Sequence, residues 1–153
     1  MDHKNHLASI PSFMEKAVFS ADIQELHQIL AWVRVRFAKR GIEVGTIRRI
    51  ELASEEALVN VISHGYSGQK GKIEIELKWA PGQVEIIVRD WGPPFDPLAN
   101  APHVDPEAPA EERNAGGLGI YLMRQIMDEL IYHRDKDANV LTMIKRFSQT
   151  KLR

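Results

Sequence analysis

Apolar residues recur at Ile23, Leu26, Leu30, Val33 and Phe37, spacings of three and four that place them on one stripe of a helix. Asp22 and Glu25 stand at the spacing of a capping box, and Gly41 follows the last periodic positions, so the pattern predicts a helix from Asp22 through Arg40. A second helix, capped by Thr46, is predicted by Ile47, Ile50, Ala57, Leu58 and Val61, and it ends at His64-Gly65. Ahead of the first helix, SFMEKAVFS is strand-like but weakly patterned. Beyond the second, KIEIELKW and VEIIVRDW alternate apolar and polar residues, and Pro81-Gly82 between them predicts a hairpin. A last helix is predicted where Ile120, Met123, Ile126, Met127 and Leu130 recur after GGLGI. Two short strands, LIYHR and NVLTMIKRF, joined by the turn DKDA, close the chain.

That order of strand, helix, helix, hairpin, helix, hairpin predicts an α/β fold: a two-layer sandwich of one mixed, mostly antiparallel sheet with helices on one face. Its 153 residues suit one domain, expected to span 1–153. The hairpin and the last helix are separated by a stretch of different character. Six of the eight prolines fall between Gly92 and Gly116, without helical or strand periodicity. A loop of such length inside a compact domain is characteristically a lid, a binding loop or disorder, and a lid is expected at about 93–115.

Two positions break the hydrophobic pattern. Glu56 and Asn60 lie one turn apart on one face of the second helix, among Ala57, Leu58, Val59 and Val61. Either that face meets solvent or it lines a site. Asp90 continues the alternation of Val84, Ile86 and Val88, so its carboxylate shares their buried face and needs a partner or a ligand.

Composition narrows the chemistry. The absence of cysteine excludes disulfides, thiolate nucleophiles and cysteine-based zinc sites. The six histidines have no metal-ligand spacing. Twenty basic against twenty-one acidic side chains give no long-range reason to expect nucleic-acid or anionic-membrane binding. No apolar run reaches the roughly 18–20 residues of a membrane span, and the opening lacks a signal-peptide pattern, so a cytoplasmic location is expected. GGLGI does not follow a strand as a dinucleotide fingerprint would, and no Gly-Lys-Ser/Thr makes a P-loop. Separately, each polar feature has a bland reading: glycines that let a loop enter a helix, an Asp-x-Gly turn, solvated glutamates, a histidine at a helix C-terminus.

Their order is specific. Ser54-Glu55-Glu56-Ala57-Leu58-Val59-Asn60, His64-Gly65-Tyr66, Arg89-Asp90-Trp91-Gly92-Pro93-Pro94-Phe95-Asp96-Pro97 and Gly116-Gly117-Leu118-Gly119-Ile120 follow one another along the chain. Together they resemble the N, G1 and G2 boxes of the Bergerat-fold (histidine kinase-like) ATPases, and most closely the small stand-alone anti-sigma factor serine kinases of bacteria. The resemblance implies an ATP site in which Asn60 holds Mg²⁺, Glu56 serves the incoming serine hydroxyl and Asp90 accepts the adenine amino group. It further implies that Gly92 makes room for the base and that Gly117, Leu118 and Gly119 meet the phosphates, with His64, Arg113 and Thr142 as further nucleotide-binding candidates. Pro94 and Ala115 depart from the family pattern, which often has a second glycine and a basic residue there.

The implied activity is Mg-ATP-dependent phosphorylation of a serine on a small anti-sigma antagonist, coupled to sequestration of a sigma factor by a homodimer. The alternative is a non-catalytic ATP-binding partner switch, which retention of Glu56 disfavours. A module of a larger histidine kinase is a poorer reading, since no phosphoacceptor segment precedes the domain.

Overall fold

The computed structural model describes residues 13–66, 69–99, 107 and 115–148, with 115–117 as backbone. Strand β1 (Phe13–Ser20) leads through a 3-10 turn (Ile23–Glu25) into helix α1 (Leu26–Lys39) and then helix α2 (Val44–Asn60). Strands β2 (Lys72–Ala80) and β3 (Gln83–Asp90), helix α3 (Ala115–Ile126) and strands β4 (Glu129–Asp135) and β5 (Ala138–Arg146) complete the order.

The strands form one sheet in the order β1-β2-β3-β5-β4. Every pairing is antiparallel, so the mixed sheet expected from the sequence has no parallel pair among the described strands. Hairpins account for β2–β3 and β4–β5, and at the first of them Gly82 takes the positive φ of 75° that follows proline in a type II turn. The alternation of β2, β3 and β5 sends Ile73, Ile75, Leu77, Val84, Ile86, Val88, Leu141 and Met143 to one face. There they meet Ile29, Val33 and Phe37 of α1, Ile50 and Leu58 of α2, and Met123 of α3 in the main core. The opposite face carries a small separate cluster of Ile87, Ala138 and Val140 with Trp91 packed against it. Beside it Arg89 bridges Glu74 and Glu76 at 2.9 and 2.6 Å.

The helix boundaries follow from local chemistry. Asp22 caps the first helical turn by accepting from the Gln24 N–H at 2.9 Å, whereas Glu25 accepts from the Ser20 N–H rather than closing the box on Asp22. Removing that cap in Asp22→Ala is expected to cost about 1 kcal/mol of stability, read as a lower urea midpoint with unchanged slope. Gly41, at φ 73°, ends α1 where expected, with its own N–H on Ala38 O and that of Ile42 on Phe37 O, the two bonds of a Schellman motif.

Two expected boundaries are corrected. Helix α2 starts two residues before Thr46, because its first bond runs from the Ile47 N–H to Glu43 O; Thr46 is a first-turn residue and not the cap. Helix α3 stops at Ile126, so Leu130 lies in β4 instead of continuing the helical stripe. The stop has a cause: Lys145 Nζ caps Ile126 O at 2.8 Å, and Asp128 is drawn into the sheet, its N–H on Ile144 O and its carboxylate on the Arg146 N–H.

Candidate functional site

Past Asn60 the helix α2 widens into a π turn, Val61–Gly65, a geometry that recurs at functional sites. The turn brings Gly65 onto the segment leaving β3. A Cβ on Gly92 would stand 2.9 Å from Gly65 O and 3.2 Å from Asp90 Oδ1, so only glycine fits. Gly92 is held at both ends: its N–H donates to Asp90 Oδ1 at 3.0 Å and its carbonyl accepts from Arg134 at 2.8 Å.

Asp90 is 4% exposed, as the alternation of β3 demands. Its buried carboxylate is met by neutral donors, the Gly92 N–H and the Asn139 side-chain amide, both on Oδ1 at 3.0 Å. Asn139, opposite Asp90 in the β3–β5 register, is itself fully used. Its amide nitrogen also donates to Pro93 O, and its oxygen accepts from the Phe95 N–H and the Tyr132 hydroxyl. Among the described residues no donor reaches Asp90 Oδ2.

Asp90 lines a narrow cleft of about 20 Å³ together with Asn60, Val61, Gly65, Val88, Tyr132, Asn139 and Leu141, and Phe95 and Pro97 also line it. In chemistry, apolar walls around one acid with spare acceptor capacity match a heterocycle bearing an exocyclic amine, although the room present is only that of a water molecule. At the same end of the fold the His64 ring stacks on Phe95, 6.0 Å between centroids.

Glu56 lies one turn before Asn60 on α2. Burial, with a smaller contribution from the neighbouring Glu55 charge, raises its pKa above 4.5. A Cβ on Gly119 would stand 2.5 Å from Glu56 Oε2, so the opening of α3 lies directly against this carboxylate. Helix α2 therefore presents an amide to the cleft and a proton-accepting group to the start of α3.

Several expected site residues thus converge from α2, the end of β3 and the start of α3: Glu56, Asn60, His64, Asp90, Gly92 and Gly119. Gly117 and Leu118 lie in the first turn of α3, while Arg113 and residues 100–106 and 108–114 of the expected loop lie outside the described residues. Thr142 does not join them. It stands opposite Ile87, on the sheet face away from Asp90, because strand side chains alternate and Leu141 and Met143 take the inward positions. Asn139 occupies the inward position instead. Its parity with Leu141 in NVLTM is a signal of the same kind as that of Asp90 with Val88. Tyr132, two strands from Asp90 in the sheet order and bonded to Asn139, leaves no local signal.

The donor set suits a Mg²⁺ nucleotide. An amide oxygen at Asn60 is a hard ligand for an ion that draws most of its shell from phosphate and water. Among the described residues no group of three or more His, Asp or Glu side chains gathers as an all-protein metal cage would require.

Comparison with known proteins agrees with the fold. Residues 19–145 match the family model of the histidine kinase-like ATPase domain. The chain is 31% identical over 107 residues to a serine-protein kinase RsbW of Bacillus licheniformis, covering 67% of each chain. It is 26% identical over 122 residues to a serine-protein kinase RsbW of Staphylococcus epidermidis, covering 76% of each. A crystal structure of the RsbU and RsbW domains of a Mycobacterium tuberculosis protein shares the fold, with a TM-score of 0.64 at 20% identity over 91% of this chain and 34% of that one. The chain belongs to the histidine kinase-like ATPase domain family, alongside the RsbW serine-protein kinases that it resembles over most of its length.

Proposed function

We propose that the protein is a Mg-ATP-dependent protein serine kinase and anti-sigma factor that works by partner switching. The observation that carries this reading is the joint placement of Glu56 and Asn60, with Glu56 against Gly119 and Asn60 on the cleft that ends in Asp90. The relatives' name, serine-protein kinase, is consistent with it.

Asp90 accepts the adenine amino group through Oδ2, held in place by Asn139 and the Gly92 N–H. Asn60 holds the metal, which when bound screens the phosphate charge. Helix α3 presents Gly117 to Gly119 to the phosphates. Glu56 orients the incoming serine hydroxyl. As the serine oxygen bonds to the γ-phosphorus, the bond from that phosphorus to the β-γ bridging oxygen breaks, ADP leaves, and the serine proton passes to Glu56. Positioning supplies most of this catalysis, so a helix that fixes both side chains at one-turn separation suits the task.

The substrate is a small anti-sigma antagonist. Its phosphorylation releases it and frees the kinase, as a dimer, to hold a sigma factor.

The test is single-turnover transfer from γ-labelled ATP to antagonist proteins co-purified with the tagged chain, with calorimetric titration of Mg-ADP in parallel. Labelled phosphoserine on a bound partner is expected. Nucleotide binding without transfer to any partner would leave the non-catalytic switch as the better reading, and no nucleotide binding would remove both.

A further inference from the structure

Tyr66 follows the π turn, and its hydroxyl accepts from the Trp91 N–H at 2.8 Å and donates to Lys72 O at 2.7 Å. The β2–β3 register ends with Ile73 opposite Asp90, so Lys72 and Trp91 are the next residues in line. Two groups that would bond each other directly, at about 2.9 Å, instead bond to the same oxygen and are held further apart. The ring that carries this hydroxyl lies over Gly71, where a Cβ would stand 2.3 Å from ring atoms. Burial foremost raises the phenol pKa, so the group remains a hydroxyl able to donate and accept at neutral pH.

The consequence reaches the cleft. Where the ladder stops, the backbone leaves the sheet at Trp91, whose ring packs on the outer face beside Ile87, Ala138 and Val140 with Lys72 Nζ over it at 4.8 Å. Gly92 then turns back against Gly65 and donates to Asp90 Oδ1. We propose that Tyr66 is a positioning residue for base recognition: its hydroxyl is a wedge that ends the β2–β3 ladder one pair early and thereby sets the Gly92 backbone and the orientation of the Asp90 carboxylate. The wedge confers selectivity for adenine over guanine without touching the base. This rests on the adenine reading of the cleft.

Without the hydroxyl, the Trp91 N–H and Lys72 O are free to close on each other, zipping one more pair and drawing Gly92 away from Gly65. In Tyr66→Phe the ADP affinity, measured by calorimetry, is expected to fall about tenfold, which corresponds to about 1.4 kcal/mol. GDP affinity should hardly change, so the ADP-to-GDP ratio falls by a similar factor. Gly71→Ala pushes the ring instead of deleting the hydroxyl and should lower the same ratio, which keeps the test open if one variant folds poorly.

A general loosening of the fold would weaken both nucleotides together. An unchanged ratio in the folded variants, whether or not total affinity drops, overturns the wedge while leaving the adenine site intact. A wild type with no preference for ADP over GDP overturns the adenine reading and the wedge with it.

Discussion

Replacing Glu56 with glutamine is expected to leave Mg-ATP binding near the wild-type level and to slow phosphate transfer by roughly 10²–10⁴-fold, the span typical of losing a general base. The substitution preserves the size of the side chain and its fit against Gly119 while removing its charge and basicity. The pH profile gives a second reading. Because burial and then Glu55 raise the Glu56 pKa above 4.5, the rate should fall with acidification at a higher pH than an ordinary glutamate would set. Only the deprotonated form can take the serine proton. Glu55→Gln removes a neighbouring negative charge, so its acidic limb should move to lower pH with the plateau rate preserved. One residue along a helix is a rotation of about 100°, which points Glu55 elsewhere. Single-turnover transfer across a pH series measures all three proteins. Wild-type transfer by Glu56→Gln would refute the base assignment.

Asp90→Asn is expected to lower ADP affinity about 10- to 100-fold. A hydrogen bond to a charged group contributes about 1.5–3 kcal/mol, and each 1.4 kcal/mol is tenfold in affinity. The site around Asp90 makes the loss hard to repair. Asn139 and the Gly92 N–H already donate to Oδ1, so an asparagine must keep its oxygen there and turn its amide nitrogen toward the ligand. A donor would then face the adenine amino group, itself a donor. Calorimetric titration with ADP reads the change directly, and an unchanged dissociation constant would mean that Asp90 only closes the turn at Gly92.

The two substitutions probe residues that the chain disclosed unequally. Asp90 was legible from parity alone, since an acid in phase with Val84, Ile86 and Val88 has no other face to take. Glu56 and Asn60 could be paired from their one-turn spacing, but spacing is silent on which neighbour the pair faces. Gly119 answers that for Glu56, and it lies more than sixty residues further along the chain. Thr142, a candidate from the family resemblance alone, faces away from Asp90. Counting from Leu141 and Met143 would have sent it to the outer face and singled out Asn139.

The sequence by itself determined the element order, the hairpins at Pro81-Gly82 and at DKDA, the stop at Gly41 and the buried phase of Asp90. These are short-range facts: side-chain period, turn residues and hydrophobic alternation act within a few positions and need no partner. Helix ends were less legible where distant groups set them, as when Lys145 and Ile144 of β5 stop α3 at Ile126. Tertiary structure alone decided the amide network of Asn139, Tyr132 and Asp90, the close approach of Gly92 to Gly65 and the hydroxyl of Tyr66 between two strands. Each joins residues remote in the chain through hydrogen bonds or contacts a few ångströms long, and such contacts exist only after register and packing have brought the elements together.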